Sequence, residues 1–171
     1  MLKRKKKTFT FQGLGTSGDF VEQIKNLNKT LLTKKGREAA TMLLNLGWLY
    51  DQWALISSTK QKEVYQRKAK VYFREALHRG AYRWLVFNGL GTVELHQGNY
   101  KKALSYYRQM HILHRSSLSY NALGNVYRQL GKLSVAKRNY EYALRLSKHP
   151  IEKSSAMYNL SQLKKETSNN H

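Results

Sequence analysis

Cations are the residues with the most chemistry to offer in this chain. Lys60, Lys62, Arg67, Lys68, Lys70 and Arg74 crowd one stretch. Lys101, Lys102 and Arg108 occupy a second, and Lys132, Lys137, Arg138 and Arg145 a third, with only Glu63, Glu75 and Glu141 to balance them. A solvated helix face ordinarily mixes signs, whereas a one-signed face suits phosphates or an acidic protein. Lys3, Arg4, Lys5, Lys6 and Lys7 add a polycation near the N-terminus, of the kind ribonucleoprotein components often carry. From these groups we take Lys3, Arg4, Lys5, Lys6, Lys7, Lys68, Lys70, Lys101, Lys102, Lys137 and Arg138 as the candidate polyanion-binding set. In all, 31 Lys and Arg stand against 10 Asp and Glu, a net charge of +21. A balance so basic argues for RNA, DNA, an acidic protein segment or an anionic membrane surface as partner, and is silent about fold.

Catalysis has less to work with. There is no cysteine, which removes disulfides, thiolate metal sites and thiol nucleophiles. His111 and His114 stand at a ligand-like separation, but no third ligand accompanies them. Gly89-Leu90-Gly91 falls inside a helical pattern rather than in a phosphate-cradling loop, and acids are too scarce for a credible acid–base pair. The expectation is a protein that is not an enzyme and uses no metal or cofactor. Trp53, Trp84, Tyr72 and Phe73 have the chemistry to stack on bases, but their helical spacing assigns them to packing.

The elements that must position these residues are helices. Proline occurs once, at Pro150, and no alternating strand pattern is bounded by turn dipeptides. Residues 1–16 read as a flexible basic arm loosened by Gly13 and Gly15. A helix follows over 17–36, capped by Ser17 or Asp19, with Phe20, Ile24, Leu27 and Leu31 on one face and Lys34, Lys35 and Gly36 ending it. Beyond it the breaks are short: Ser57-Ser58-Thr59, Gly80, Gln97-Gly98-Asn99, Ser116-Ser117, Gly131 and Pro150. Helices joined so closely pack as antiparallel pairs. No stretch approaches the roughly 18 uninterrupted apolar residues of a membrane helix. The basic run continues Thr8-Phe9-Thr10-Phe11-Gln12, unlike the apolar block of a secretory signal. We therefore expect a soluble intracellular protein, cytoplasmic by default, with an organelle matrix left open because no acid precedes Asp19.

The pairs repeat. Gly91 and Gly124, Gly98 and Gly131, Ala103 and Ala136, and Tyr107 and Tyr140 are each 33 residues apart. An earlier copy has Leu46-Gly47, Tyr50, Ala69, Phe73 and Ala76, with about ten extra residues between its halves, spent on longer helices. A last half-copy is Met157, Leu160 and Ser161. A small residue on the first helix (Gly47, Gly91, Gly124, Ser161) lets the second approach. A small residue on the second (Ala69, Ala103, Ala136) receives it, and an aromatic one turn on (Phe73, Tyr107, Tyr140) fills the groove against the next pair.

On these residues the chain resembles the tetratricopeptide repeat proteins. The third copy matches best, through Tyr120, Leu123, Gly124, Tyr127, Gly131, Ala136, Tyr140, Ala143 and Pro150. The second departs at Glu94, where Tyr is usual, and at Met110, where Ala is usual. The resemblance spans about Arg37 to Lys165. It implies an all-α solenoid of about three helix pairs, over about 37–80, 81–115 and 116–150, between an N-terminal helix and a capping helix at 151–167, with a disordered tail at 168–171.

The resemblance also implies a concave surface made chiefly by the first helix of each pair. The aligned positions are Asn45, Trp48 and Gln52; Asn88, Thr92 and His96; Asn121, Asn125 and Arg128; and Tyr158, Asn159, Gln162 and Lys165. A row of carboxamides can grip a peptide backbone, each offering a donor and an acceptor. The same asparagines can equally link neighbouring helices within the solenoid. Leu44 and Trp48 stand where the chaperone-tail-binding members hold a carboxylate with Lys and Asn, so that clamp is not expected. The expected function is a scaffold binding a peptide or acidic protein segment in its groove. The alternative is an RNA-associated subunit of a ribonucleoprotein assembly such as a ribosome.

Overall fold

A computed structural model describes residues 16–168, so the Lys3–Lys7 polycation, the rest of the N-terminal arm and residues 169–171 lie outside it. Among the described residues there are eight α-helices and no strand. They are α1 (Ser17–Leu31), α2 (Gly36–Leu55), α3 (Thr59–His78), α4 (Arg83–His96), α5 (Tyr100–Leu113), α6 (Ser117–Gln129), α7 (Leu133–Leu146) and α8 (Pro150–Ser168). Helices α2/α3, α4/α5 and α6/α7 form three antiparallel pairs, flanked by α1 and α8. The first helix of each pair touches the first helix of the next, while α3, α5 and α7 do not touch one another. The stack is therefore an all-α solenoid that curves, with α2, α4, α6 and α8 on its inner side and the second helices fanned outward.

The repeat residues do the packing expected of them. Ala69, Ala103, Ala136, Phe73 and Tyr140 are completely buried and Tyr107 nearly so. A Cβ added at Gly91 would come 2.7 Å from the Tyr107 ring, and one at Gly124 would come 2.5 Å from the Tyr140 ring. Only glycine lets the rings lie this close to the helix backbone. Phe73 is held from both sides: Cβ atoms at Gly47 and Gly89 would fall 2.6 and 2.4 Å from it, so it locks the first pair to the second. The turns after α4 and α6 also repeat. Gly98 and Gly131 take φ of 75° and 70°, while Asn99 N–H donates to Glu94 O and Lys132 N–H to Tyr127 O, each at 2.9 Å. A left-handed residue with a bond back across the last helical turn closes the helix and reverses the chain.

Four local expectations are corrected. Thr16, not Ser17 or Asp19, caps α1; Asp19 sits at its third position and completes a capping box, accepting from Thr16 N–H at 2.8 Å. Gly36 does not end α1, which stops at Leu31; it opens α2 at φ 55°. In α8 the repeat keeps its spacing of 33 residues, so that Ala156 occupies the place of Leu123 and is fully buried beside Tyr120 and Ala143. Ser161 and Met157 are exposed, and in this register the place of Gly124 falls to Met157 rather than to Ser161. Ser168 is the last residue of α8 rather than the start of a tail.

The first pair spends its extra residues as expected, on two helices of 20 residues each. Their ends carry an aromatic cluster: Trp53 stacks on Tyr65 at 4.2 Å and on Phe20 of α1 at 6.1 Å, and Tyr50 stacks on Tyr72 at 5.4 Å. Trp84 stacks on His114, again as packing.

Candidate functional site

The inner helices bring four of the expected groove residues to one cavity. His96 of α4, Asn125 and Arg128 of α6 and Asn159 of α8 line a space of about 380 Å³, together with Leu95, Tyr100 and Gln129. Three repeats contribute, so the cavity exists only once the pairs have stacked.

The polar groups around it are held by neighbours. Asn125 Oδ1 accepts from the Tyr140 hydroxyl at 2.8 Å, which fixes its amide orientation. Burial pushes that phenol up to about 12, against the opposing pull of Arg128, so it serves as a donor at any ordinary pH. Arg128 pairs with Glu166 of α8 at 2.9 Å, both groups retaining solvent contact. Asn159 Nδ2 donates to Asn121 Oδ1 at 2.8 Å, and Asn121 Nδ2 donates to Ser155 Oγ at 2.9 Å. Asn121 and Asn159 thus tie α6 to α8. His96 Nδ1 lies 3.0 and 3.1 Å from the two oxygens of Asp51, whose carboxylate is 1% exposed. An acceptor-only carboxylate on Nδ1 places a proton on that nitrogen.

The remaining groove candidates are more dispersed. Thr92 donates to the Asn88 carbonyl at 2.9 Å and so must accept from the Tyr107 hydroxyl, also at 2.9 Å. Trp48 covers Phe73 edge-on, with ring centroids 5.2 Å apart. Trp48, Thr92 and Asn125 each follow the helix-contact glycine, and each serves the aromatic ring of its own pair. Where that ring is Tyr the partner is polar; where it is Phe the partner is Trp. Asn45, Gln52, Asn88 and Gln162 are half-buried, Tyr158 and Lys165 exposed; none of these six lines the cavity.

Of the polyanion candidates described, Lys68, Lys101, Lys102, Lys137 and Arg138 are exposed on the second helices. Lys70 is different. Its ammonium donates to Glu94 Oε1 and Gln97 Oε1, each at 2.6 Å, and retains little exposure. Glu94 also accepts from Asn99 Nδ2 at 2.8 Å. Burial works to raise the Glu94 carboxyl, but the bonds from Lys70 and Asn99 and the Lys70 charge outweigh it and leave the group below its ordinary value. Lys70 is therefore removed from the polyanion set. The departure at Glu94 has its reason here, because the residue replacing Tyr pairs across to the preceding helix.

Sequence reasoning missed Asp51, Tyr100, Gln129 and Glu166 around the site. Asp51 carried a signal: it stands one helical turn after Gly47, on the face that packs against α4. His111 donates or accepts at Ser119 Oγ, 2.9 Å away, and among the described residues no three His, Asp or Glu side chains gather as a metal set. No described helix is long and apolar enough to cross a membrane.

Comparison with known proteins agrees with the repeat fold. The tetratricopeptide repeat family matches residues 67–112 and again residues 118–150. No curated protein sequence matches the chain. Among solved structures, a thermophilic TPR protein of Thermus thermophilus superposes with a TM-score of 0.72 at 20% identity, over 84% of this chain and 74% of that one.

Proposed function

We propose, for a chain that is a tetratricopeptide repeat protein and so a protein–protein interaction scaffold, that its ligand is an acidic peptide segment seated on the inner face against α4, α6 and α8. The observation that carries this reading is the convergence of His96, Asn125, Arg128 and Asn159 on one cavity of about 380 Å³. Arg128 supplies a forked cation for a carboxylate; its side chain is 26% exposed, and a ligand carboxylate would share it with Glu166. Asn125 and Asn159 offer amides already oriented by Tyr140 and Asn121, so little side-chain freedom is lost on binding. A peptide backbone needs both donors and acceptors, and the cavity offers both.

The test begins with peptides selected from a displayed random library against the immobilised protein. Their affinities are then measured for the wild type, Arg128→Ala and Gln129→Glu. Gln129 is exposed, so its substitution places a negative charge at the cavity rim without disturbing the core. We expect the selected peptides to be rich in Asp and Glu, and each variant to weaken them by about tenfold, on the scale of a charge-assisted hydrogen bond. Neutral or basic winners, or affinities indifferent to both changes, would place the ligand elsewhere.

A further inference from the structure

The second helices carry a charge pattern that the inner-face site does not use. Each bears two cations seven residues apart: Arg67 and Arg74 on α3, Lys101 and Arg108 on α5, and Arg138 and Arg145 on α7. Seven residues are about two helical turns, so each pair spans about 10.5 Å on one side of its helix. All six are exposed, and among the described residues none stands in an ion pair with an acid. Arg108 donates to the Tyr127 hydroxyl at 3.2 Å, and Arg145 lies over the Tyr142 ring at 5.5 Å; both contacts hold a guanidinium without neutralising it. Arg67 and Lys101 occupy the same place relative to the buried alanine of their helices, as do Arg74 and Arg108, while the α7 pair is moved on by about one turn.

We infer that this outer face binds the phosphate backbone of a single-stranded polynucleotide. Five of the six positions are Arg, although Lys outnumbers Arg in the chain. The planar guanidinium fork matches a phosphate with two parallel bonds, which an ammonium cannot do. The three rows stand on helices that fan apart on the outside of a curve. A duplex, stiff over about 150 base pairs, meets such a surface near one row only. A single strand bends around it and reaches all three. Contact through phosphates alone leaves base sequence unread.

Oligouridine long enough to cross the three rows, labelled for fluorescence anisotropy, is the direct probe. Six phosphate contacts predict a slope of log affinity against log salt of about −4 for a single strand. Replacing one cation per row, in the triple variant Arg74→Gln, Lys101→Gln and Arg138→Gln, should make the slope shallower by about 2 and weaken binding at least tenfold. A control of equal charge change, Lys25→Gln, Lys29→Gln and Lys164→Gln on α1 and α8, should keep the slope of the wild type. Circular dichroism of both variants reports whether they remain folded. The inference is overturned if the control loses as much as the array variant. It is equally overturned if duplex RNA binds more tightly than oligouridine, or if polyglutamate or phosphatidylserine vesicles compete better than oligouridine. The inner-face reading is untouched by these outcomes, because no array residue lines that cavity.

Discussion

The first and third helix pairs solve one packing problem with different chemistry. In α6/α7 the ring pressed against the glycine is Tyr140, and its hydroxyl is satisfied by Asn125 at 2.8 Å. In α2/α3 the ring is Phe73, which has no hydroxyl, and Trp48 covers it edge-on. The turn between α6 and α7 is made on a left-handed glycine, Gly131; the turn between α2 and α3 has none, and α2 ends with the Ser57 hydroxyl on the Trp53 carbonyl at 2.6 Å. What the architecture demands is a flat ring against a missing side chain. The polar or apolar finish at the rim is a local choice that must be self-consistent.

The comparison breaks most severely when the ring is removed. Phe73→Ala should cost about 3–5 kcal/mol, because the side chain is fully buried between two pairs. Chemical denaturation read by circular dichroism measures it, and a loss below about 1 kcal/mol would show that Phe73 does not lock the pairs. Exchanging the finishes sharpens the point. Phe73→Tyr adds a hydroxyl against Trp48 with no partner prepared for it and should cost about 1–3 kcal/mol. Tyr140→Phe forfeits one hydrogen bond and should cost only about 0.5–1.5 kcal/mol. Equal costs, or the reverse order, would mean that the two rims are interchangeable.

A loss comparable in size to that of Tyr140→Phe is expected at the joint between the first and second pairs. Glu94 is held below its ordinary value of 4.5, so its contribution is present above that pH and is lost as acidification protonates it in the folded state. Glu94→Gln should destabilise by about 1.5 kcal/mol near neutrality, and its stability curve should converge on the wild type as the pH falls below 4.5 and the folded-state carboxyl protonates. Curves that stay parallel throughout that acid range would remove Glu94 from the acid response.

The repeating part of this fold was legible because its constraint is local and periodic. A glycine, an alanine and an aromatic recur at fixed spacing wherever two helices must approach closely, so three pairs and their long first member were read directly. The register of α8 was not. The constraint that fixes it comes from α6 and α7 on one side only, and Leu160-Ser161 imitates the Leu-Gly signal. The Lys70–Glu94 pairing joins residues 24 apart across two pairs, and a run of lysines gives no hint of which one turns inward. The site was half visible. Alignment gathered His96, Asn125, Arg128 and Asn159, but the bonds from Tyr140 and Asn121 that orient the amides depend on how the helices stack.

One wall of the cavity is supplied by α8, which buries only Ala156 and Leu163 and, among the described residues, packs against α6 and α7 alone. In a solenoid whose stability is a sum of neighbour terms, a helix so lightly held is the first to fray. A ligand spanning Arg128 and Asn159 would then act as a staple. Occupancy and ordering of the last helix become a single equilibrium, and hydrogen exchange along α8 slows in proportion to ligand concentration.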